Sequence, residues 1–418
     1  MDPTLGYAIA LGGLFLSLIL VNLLHVNRLT YLAYFPSFAR NYLHRAWRYL
    51  IYPYLVHRHR FLPPFTLADL LSQLIYIAGN SFCLAYGSTI EKAGLRAGTL
   101  SLINLTPLFF GPHLSFAADV LGLSLGALRN VHRSAGLVSA GLVMFHTAVA
   151  IKSRTGFGLS SIKNVSAVVA GSALGLAVLL SWPPFRRHLY EVFLRFHQTL
   201  ALLVIISSWL HVPSTRLPRF ALYISFAIFG LASLADGWLL VRRSVALTRR
   251  KDSDGPRVIE IFKHQGNSDK TPIQLTLLLK EQLKMKAGQY INMWIPSIGF
   301  LSRIQSHPFV VTSWTGKRQS YLEFVIEPRG SWTRKLHSRA MTVSGQNGGV
   351  HRVFFTGPHG MSPPVDEYEY VFMVASGYGI VAHLPLLERL VQGTRAREVR
   401  ARRIRLVWEF ADVGRSTN

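Results

Sequence analysis

Two apolar stretches of this chain each carry two histidines at the same interval, and this repeat limits the fold more than any other feature. His146 follows His132 by fourteen positions, and His211 follows His197 by fourteen. Fourteen helical residues end about 40° short of four full turns, so the two imidazoles of each helix share one face. They stand about 21 Å apart along the axis, most of the ~30 Å hydrocarbon core of a bilayer. Two such helices side by side set His132 opposite His197 and His146 opposite His211, one pair near each face of a membrane. A lone histidine on an apolar face is most simply a satisfied packing residue. The same interval on two spans asks for more, because ionisable residues inside membrane spans are costly and tend to be functional. Neutral imidazole ligates haem iron, and an iron held by two imidazoles has no open position, which favours electron transfer over oxygen binding. Two b-type haems, one per pair, are therefore expected.

The 418 residues are 50% hydrophobic and 16% charged, with a mean hydropathy of +0.27. That is too apolar for an ordinary soluble protein and fits a membrane part followed by a soluble one. The net charge of +25 does not point to nucleic acid. Its basic residues are spread through loops beside apolar spans, as expected for positive-inside topology and an anionic lipid surface. The single cysteine, Cys83, lies in an apolar run. It excludes a disulfide framework and a cysteine-ligated metal, and reads as a small buried residue.

Seven spans are expected, at Gly6–Leu24, Ala68–Tyr86, Ala97–Leu114, Asn130–Ala150, Val165–Trp182, Val192–His211 and Phe220–Val241. The first reads as a span and not a cleaved leader, because an aspartate and no basic residue precede it. Between Asn27 and Arg60, arginines alternate with Tyr31, Tyr34, Trp47 and Tyr52, the pattern of a cytosolic interfacial segment. Arg242, Arg243, Arg249, Arg250 and Lys251 place the exit of the last span in the cytosol as well. His132 and His197 then lie toward the cytosol, and His146 and His211 toward the outside.

A polar break at Lys251–Pro256 opens a soluble region. Strand-like runs at Arg257–Phe262, Ile273–Leu279, Tyr290–Ile295, Phe309–Thr312, Tyr321–Ile326 and Val350–Phe355 predict a small antiparallel barrel. From Tyr370 the pattern becomes a strand, a glycine turn, a helix over about Ala382–Gln392 and a strand at Ile404–Phe410. Gly377-x-Gly379-x-x-Ala382 sits at that turn, where backbone amides and a helix N-terminus suit a pyrophosphate. Composition leaves two other stretches open. Gln305–Trp314 could present Thr312 and Ser313 to a ligand, and Gly330–Thr333 could hold phosphate, but on composition alone an ordinary strand end and an ordinary helix cap are favoured.

In these motifs the chain resembles the fungal ferric reductases of the membrane flavocytochrome b superfamily, which also contains the NADPH oxidases. The resemblance implies a ferredoxin-reductase-like FAD barrel after the spans, then an α/β nucleotide-binding domain that is incomplete at Asn418. The implied divisions are 1–64 (first span and basic linker), 65–243 (haem-binding membrane domain), 256–365 (FAD barrel) and 366–418 (partial NADPH domain). His132, His146, His197 and His211 match the family's haem ligands. Gln305–Phe309 is similar to its FAD motif, which places His307, Pro308, Phe309, Thr312 and Ser313 at the flavin; Val310 stands where a threonine is usual. Gly330, Trp332 and Thr333 match its flavin-pyrophosphate segment. Gly357, Pro358 and Gly360 resemble a Gly-Pro-aromatic-Gly turn, with His359 in the aromatic place. Ser376, Gly377, Gly379 and Ile380 look like its NADPH-phosphate turn.

The activity so implied is electron transfer from cytosolic NADPH through FAD and two haems to ferric or cupric chelates outside, with no acid–base residue required. Partners are the lipid membrane and the metal chelates, with no nucleic acid; an iron permease or oxidase partner and the oligomeric state stay open. Plasma membrane is the family's usual place, with the vacuolar membrane as alternative. The rival readings are an oxidase that makes superoxide, and a truncated haem-binding membrane protein without enzymatic activity.

Overall fold

The computed structural model describes residues 2–24, 42, 45–46, 48–51, 53–57, 64–153, 158–214, 216–244, 257–263, 272–299, 305–343 and 351–410. Most of the basic stretch Asn27–Arg60, the break at Lys251–Pro256 and the end of the chain at Asn418 lie outside these residues. The chain divides into two units, Met1–Ala232 and Ser233–Asn418.

The long helices are α1 (Pro3–Leu23), α2 (Leu67–Ala85), α3 (Ile90–Leu105), α4 (Leu125–Ser153), α5 (Ile162–Leu180), α6 (Tyr190–His211) and α7 (Arg216–Ser244), with short helices at Leu114–Leu121 and Pro183–His188. Their starts follow the sequence. Asp2 accepts the Thr4 amide at the head of α1, and Thr66 with Asp69 forms a reciprocal capping box at α2. Six of the seven are long and apolar enough to cross a membrane; α3 is the exception. The expected span Ala97–Leu114 is divided, because α3 stops at Leu105 and Thr106–His113 continues as a 3₁₀ segment. Pro107 and Pro112 have no N–H to give to an α-helical ladder.

The apolar spans leave much of their surface outward, and a smaller core of Leu100, Leu142, Leu174, Val204 and Ile205 binds them together. A polar knot ties α1 to α2 and α3. Tyr7 Oη and Tyr76 Oη both donate to Asn104 Oδ1, at 2.6 and 2.5 Å. Asn104 Nδ2 donates to Asn80 Oδ1 at 2.7 Å and to the Leu100 carbonyl at 2.9 Å. Asn104 is fully buried, and all of its donors and lone pairs are used. A satisfied polar network among apolar spans fixes the register of three helices.

The second unit is built from strands β1 (Arg257–Lys263), β2 (Ile273–Lys284), β3 (Tyr290–Trp294), β4 (His307–Val310), β5 (Arg318–Ile326), β6 (His351–Arg352), β7 (Phe354–His359), β8 (Tyr370–Ser376) and β9 (Arg403–Glu409). Helix α8 (Ser331–Val343) follows β5, and α9 (Leu384–Ala396) joins β8 to β9. Two antiparallel sheets, ordered β5-β2-β1-β6 and β4-β3-β7, enclose one core. Alternate residues of β2, β3 and β5 supply it. Leu275, Leu277, Ile291, Met293, Leu322 and Phe324 are all fully buried, each contributing about 1.5–3 kcal/mol of transfer free energy. The expected strand Val350–Phe355 is instead two strands in different sheets, with buried Val353 between them. As expected, β8 and β9 pair in parallel, Met373 beside Leu406 and Val374 beside Val407.

Candidate functional site

Helices α4 and α6, which carry the four histidines, do not pack along each other. Helix α4 lies along α3, and α6 lies along α5. Across the gap between them, the imidazoles meet as the spacing predicts. The ring centres of His132 and His197 are 6.2 Å apart, and those of His146 and His211 are 6.4 Å apart. Two imidazole nitrogens about 2.0 Å from one metal, on opposite sides of it, with each ring centre about 1.1 Å further out, put those centres about 6 Å apart. Both pairs thus stand at the separation that one bridging metal requires. Among the described residues no group of three or more His, Cys, Asp or Glu is arranged to hold a metal ion.

The two pairs differ in what the other ring nitrogen meets. His146 Nδ1 lies 2.8 Å from the Gly94 carbonyl of α3, and His211 Nδ1 lies 3.1 Å from the Lys163 carbonyl of α5. A carbonyl carries no proton, so each Nδ1 is the donor, and the neutral ring keeps its Nε2 lone pair for a metal. His132 Nδ1 and His197 Nδ1 are buried without a hydrogen bond; the Ala177 carbonyl approaches His197 without completing one.

In the second unit, sheet register gathers several of the sequence motifs. Tyr290 of β3 pairs with Val310 of β4 on one side and with His359 of β7 on the other. Trp332, at the start of α8, stacks on His307 with ring centres 4.3 Å apart and lies 5.6 Å from Phe309. It is only 4% exposed, so its ring is part of the barrel core. Thr312 Oγ1 donates to the Glu323 carbonyl at 2.9 Å, and Ser313 Oγ accepts the Glu323 amide at 3.1 Å. These hydroxyls join the end of β4 to β5. Thr333 Oγ1 accepts the amides of Arg329 and Gly330, both at 2.9 Å. Pro308 is exposed beside them.

Gly357 has φ +124° and Gly360 has φ +89°, and a Cβ on Gly360 would lie 3.0 Å from the Tyr290 ring. Only glycine suits both demands. Pro358 between them follows a cis peptide. His359 is buried and its Nε2 meets Thr356 Oγ1 at 2.9 Å, so the imidazole fills the aromatic place as a core group. At the nucleotide-type turn, Gly377–Ala382 is a 3₁₀ turn with Gly377 at φ +52°, and α9 begins two residues later than expected, at Leu384. Pro385 in its first turn explains the late start. Trp408 Nε1 donates to the Gly377 carbonyl at 2.9 Å, while Ser376 and Gly379 are exposed and Ile380 is half-buried.

Three features were missed by sequence reasoning. The Gly94 carbonyl is a backbone atom and has no signal of its own. The Asn80–Asn104 bond joins two unremarked polar residues in apolar runs. Asp366 and Arg389 form an ion pair, with Arg389 Nε 2.7 Å from Oδ1 and the guanidinium over Trp314. The Asp366 hydrogen bond raises the Arg389 pKa above the ordinary guanidinium value, so the guanidinium keeps its charge.

Two family matches fall on these two regions. Residues 97–208 match the family described as ferric reductase like transmembrane component; the match contains His132, His146 and His197 and ends three residues before His211. Residues 267–363 match the family described as FAD-binding domain. Ferric reduction oxidase 4 of Arabidopsis thaliana is 23% identical over 356 residues, 81% of this chain and 46% of its own length. NADPH oxidase 1 of Mus musculus is 32% identical over 112 residues, 27% of this chain and 18% of its own. Ferredoxin-NADP+ reductase from Plasmodium falciparum, a solved structure, aligns over 38% of this chain and 59% of its own at 14% identity and a TM-score of 0.29. The chain spans about half the length of the plant ferric reduction oxidases it matches. The ferric-reductase transmembrane match on the spans and the FAD-binding match on the barrel, with the similarity to ferric reduction oxidases and NADPH oxidases, support the ferric reductase and NADPH oxidase superfamily.

Proposed function

We propose that this protein carries electrons across a membrane, from a flavin on the cytosolic side through two b-type haems to a ferric or cupric chelate outside. The carrying observation is the pair of facing imidazole couples, at 6.2 and 6.4 Å between ring centres, across a gap between two helices that do not pack together. His132 with His197 and His146 with His211 would hold one haem each. Bound FAD would turn a two-electron hydride, from NADPH in this reading, into single electrons, and each haem iron would pass one at a time.

The chain's own contribution is placement. Each pair of imidazoles would hold one haem, and an iron held by two imidazoles would leave no open position for oxygen, which favours electron transfer. Donation from His146 and His211 to backbone carbonyls holds their Nε2 atoms toward the gap. The His307–Trp332 stack and the Glu323 bonds stiffen the strand end that resembles the family's flavin motif. The turn at Gly357–Gly360 and the turn at Ser376–Ile380 would receive NADPH. The plasma membrane is the setting proposed.

The test is anaerobic. Purified full chain, reconstituted in liposomes and reduced with dithionite, is mixed with a membrane-impermeant ferric chelate. Reoxidation of the haem absorption together with stoichiometric ferrous product is expected. Haems that stay reduced beside the chelate, and reoxidise only with oxygen to release superoxide, would overturn the choice of acceptor.

A further inference from the structure

Helix α3 carries none of the four histidines, yet it touches one of them at two points. Gly94 presents its carbonyl to His146 Nδ1 at 2.8 Å. One turn on, Gly98 faces the same ring, and a Cβ there would lie 3.1 Å from Nδ1 and 3.2 Å from Cε1. The approach of the two helices is close. A Cβ on Gly94 would sit 2.6 Å from Val149 Cγ1 and 2.8 Å from Val149 Cβ. Ala97 is fully buried in the same seam, and Ser139 of α4 donates to the Ser101 carbonyl at 3.3 Å. Small residues at one helical seam allow backbones to approach. Here the approach also brings a carbonyl within reach of an imidazole.

We infer that α3 is the positioning element of the 146/211 pair: the Gly94 carbonyl fixes the tautomer of His146, Gly98 leaves the room its ring occupies, and the bare Cα of Gly94 lets α3 come close to Val149 of α4. The inference rests on the proposed haem ligation. A carbonyl that accepts from Nδ1 selects the tautomer with Nε2 free, sets the rotation of the ring about its Cβ–Cγ bond, and raises the basicity of the ligand. A more basic ligand favours ferric over ferrous iron, so weakening this bond raises the midpoint potential of that haem. In the 132/197 pair the Ala177 carbonyl approaches His197 without completing such a bond. Gly111 also faces His132, but a Cβ there would stand 3.5 Å from Cε1, an ordinary contact, and the His132 Nδ1 makes no hydrogen bond.

The experiment uses purified, haem-loaded full chain and reads two quantities: the low-spin electron paramagnetic resonance signals and the two midpoint potentials. Gly98→Ala is expected to shift one low-spin signal and raise one potential, with the other haem unchanged and two haems still bound. Gly94→Ala should do the same through helix separation. Adding Val149→Gly, which removes the atoms that clash, should restore the original signal. A purely structural role for the glycines would move stability without moving one haem's potential. Two bound haems with both signals unaltered in Gly98→Ala and in Gly94→Ala would overturn the inference and leave the haem reading intact. A folded parent chain that binds no haem would overturn both.

Discussion

The 132/197 and 146/211 pairs come from the same two helices, at the same interval, with ring separations that differ by only 0.2 Å (6.4 against 6.2 Å). Their surroundings are not alike. Both rings of the 146/211 pair donate to backbone carbonyls, while neither Nδ1 of the 132/197 pair completes a hydrogen bond. The helix repeat therefore sets where the imidazoles stand, and the neighbouring helices set how each ring is oriented. The first property is a matter of periodicity. The second depends on how near α3 and α5 come to the histidine helices, and it can differ between two sites that look equivalent in sequence.

The largest expected effect would break the comparison outright. His132→Ala or His197→Ala should remove one haem, and His146→Ala or His211→Ala the other, each leaving one haem per chain by extracted-haem assay. If the variants instead all remove both haems from folded protein, the two pairs are not separate sites. Next in size is Asn104→Ala, which strips partners from the Tyr7 and Tyr76 hydroxyls and from Asn80. Buried groups left unsatisfied cost about 1–3 kcal/mol, so thermal unfolding in detergent should occur at clearly lower temperature. Because Asn104 anchors α3, the remaining spectral change should fall on the 146/211 haem. A change confined to the 132/197 haem would contradict that route.

Smaller still is Ser139→Ala. It deletes a 3.3 Å bond to the Ser101 carbonyl, worth about 0.5–1.5 kcal/mol at most. Both haems should stay bound and their spectra should hold, so a lost haem would show that this contact does more than bind α3 to α4. Gly111→Ala should have the least effect, since the added methyl meets His132 at ordinary contact distance. A shift of the 132/197 signal as large as that from Gly98→Ala would erase the asymmetry.

Much of this architecture was legible in the sequence because it rests on periodicity. The fourteen-residue interval foretold which histidines face each other. Strand-like runs such as Ile273–Leu279 and Tyr321–Ile326 foretold antiparallel strands, and the strand–glycine–helix–strand order foretold the unit in which β8 and β9 pair. What escaped was set by contact and not by pattern. The run from Ala97 to Leu114 is apolar enough to look like one span, but Pro107 and Pro112 divide it, and greater weight on those prolines would have placed the break. Thr312 and Ser313 read as hydroxyls for a ligand, whereas the register of β4 against β5 also brings them to Glu323. Trp332 reads as part of a helix cap or, by resemblance, of a flavin-pyrophosphate segment, and only the fold shows its ring inside the barrel core. The Gly94 carbonyl belongs to the backbone, so no residue type announces it.

The most direct test of the central claim is the reduced-minus-oxidised absorption spectrum of the purified full chain, taken with dithionite and calibrated by extracted haem. Two low-spin b-type haems per chain are expected, with His132→Ala and His146→Ala each removing a different one. A single haem that survives both substitutions, or no haem in folded protein, would contradict the account.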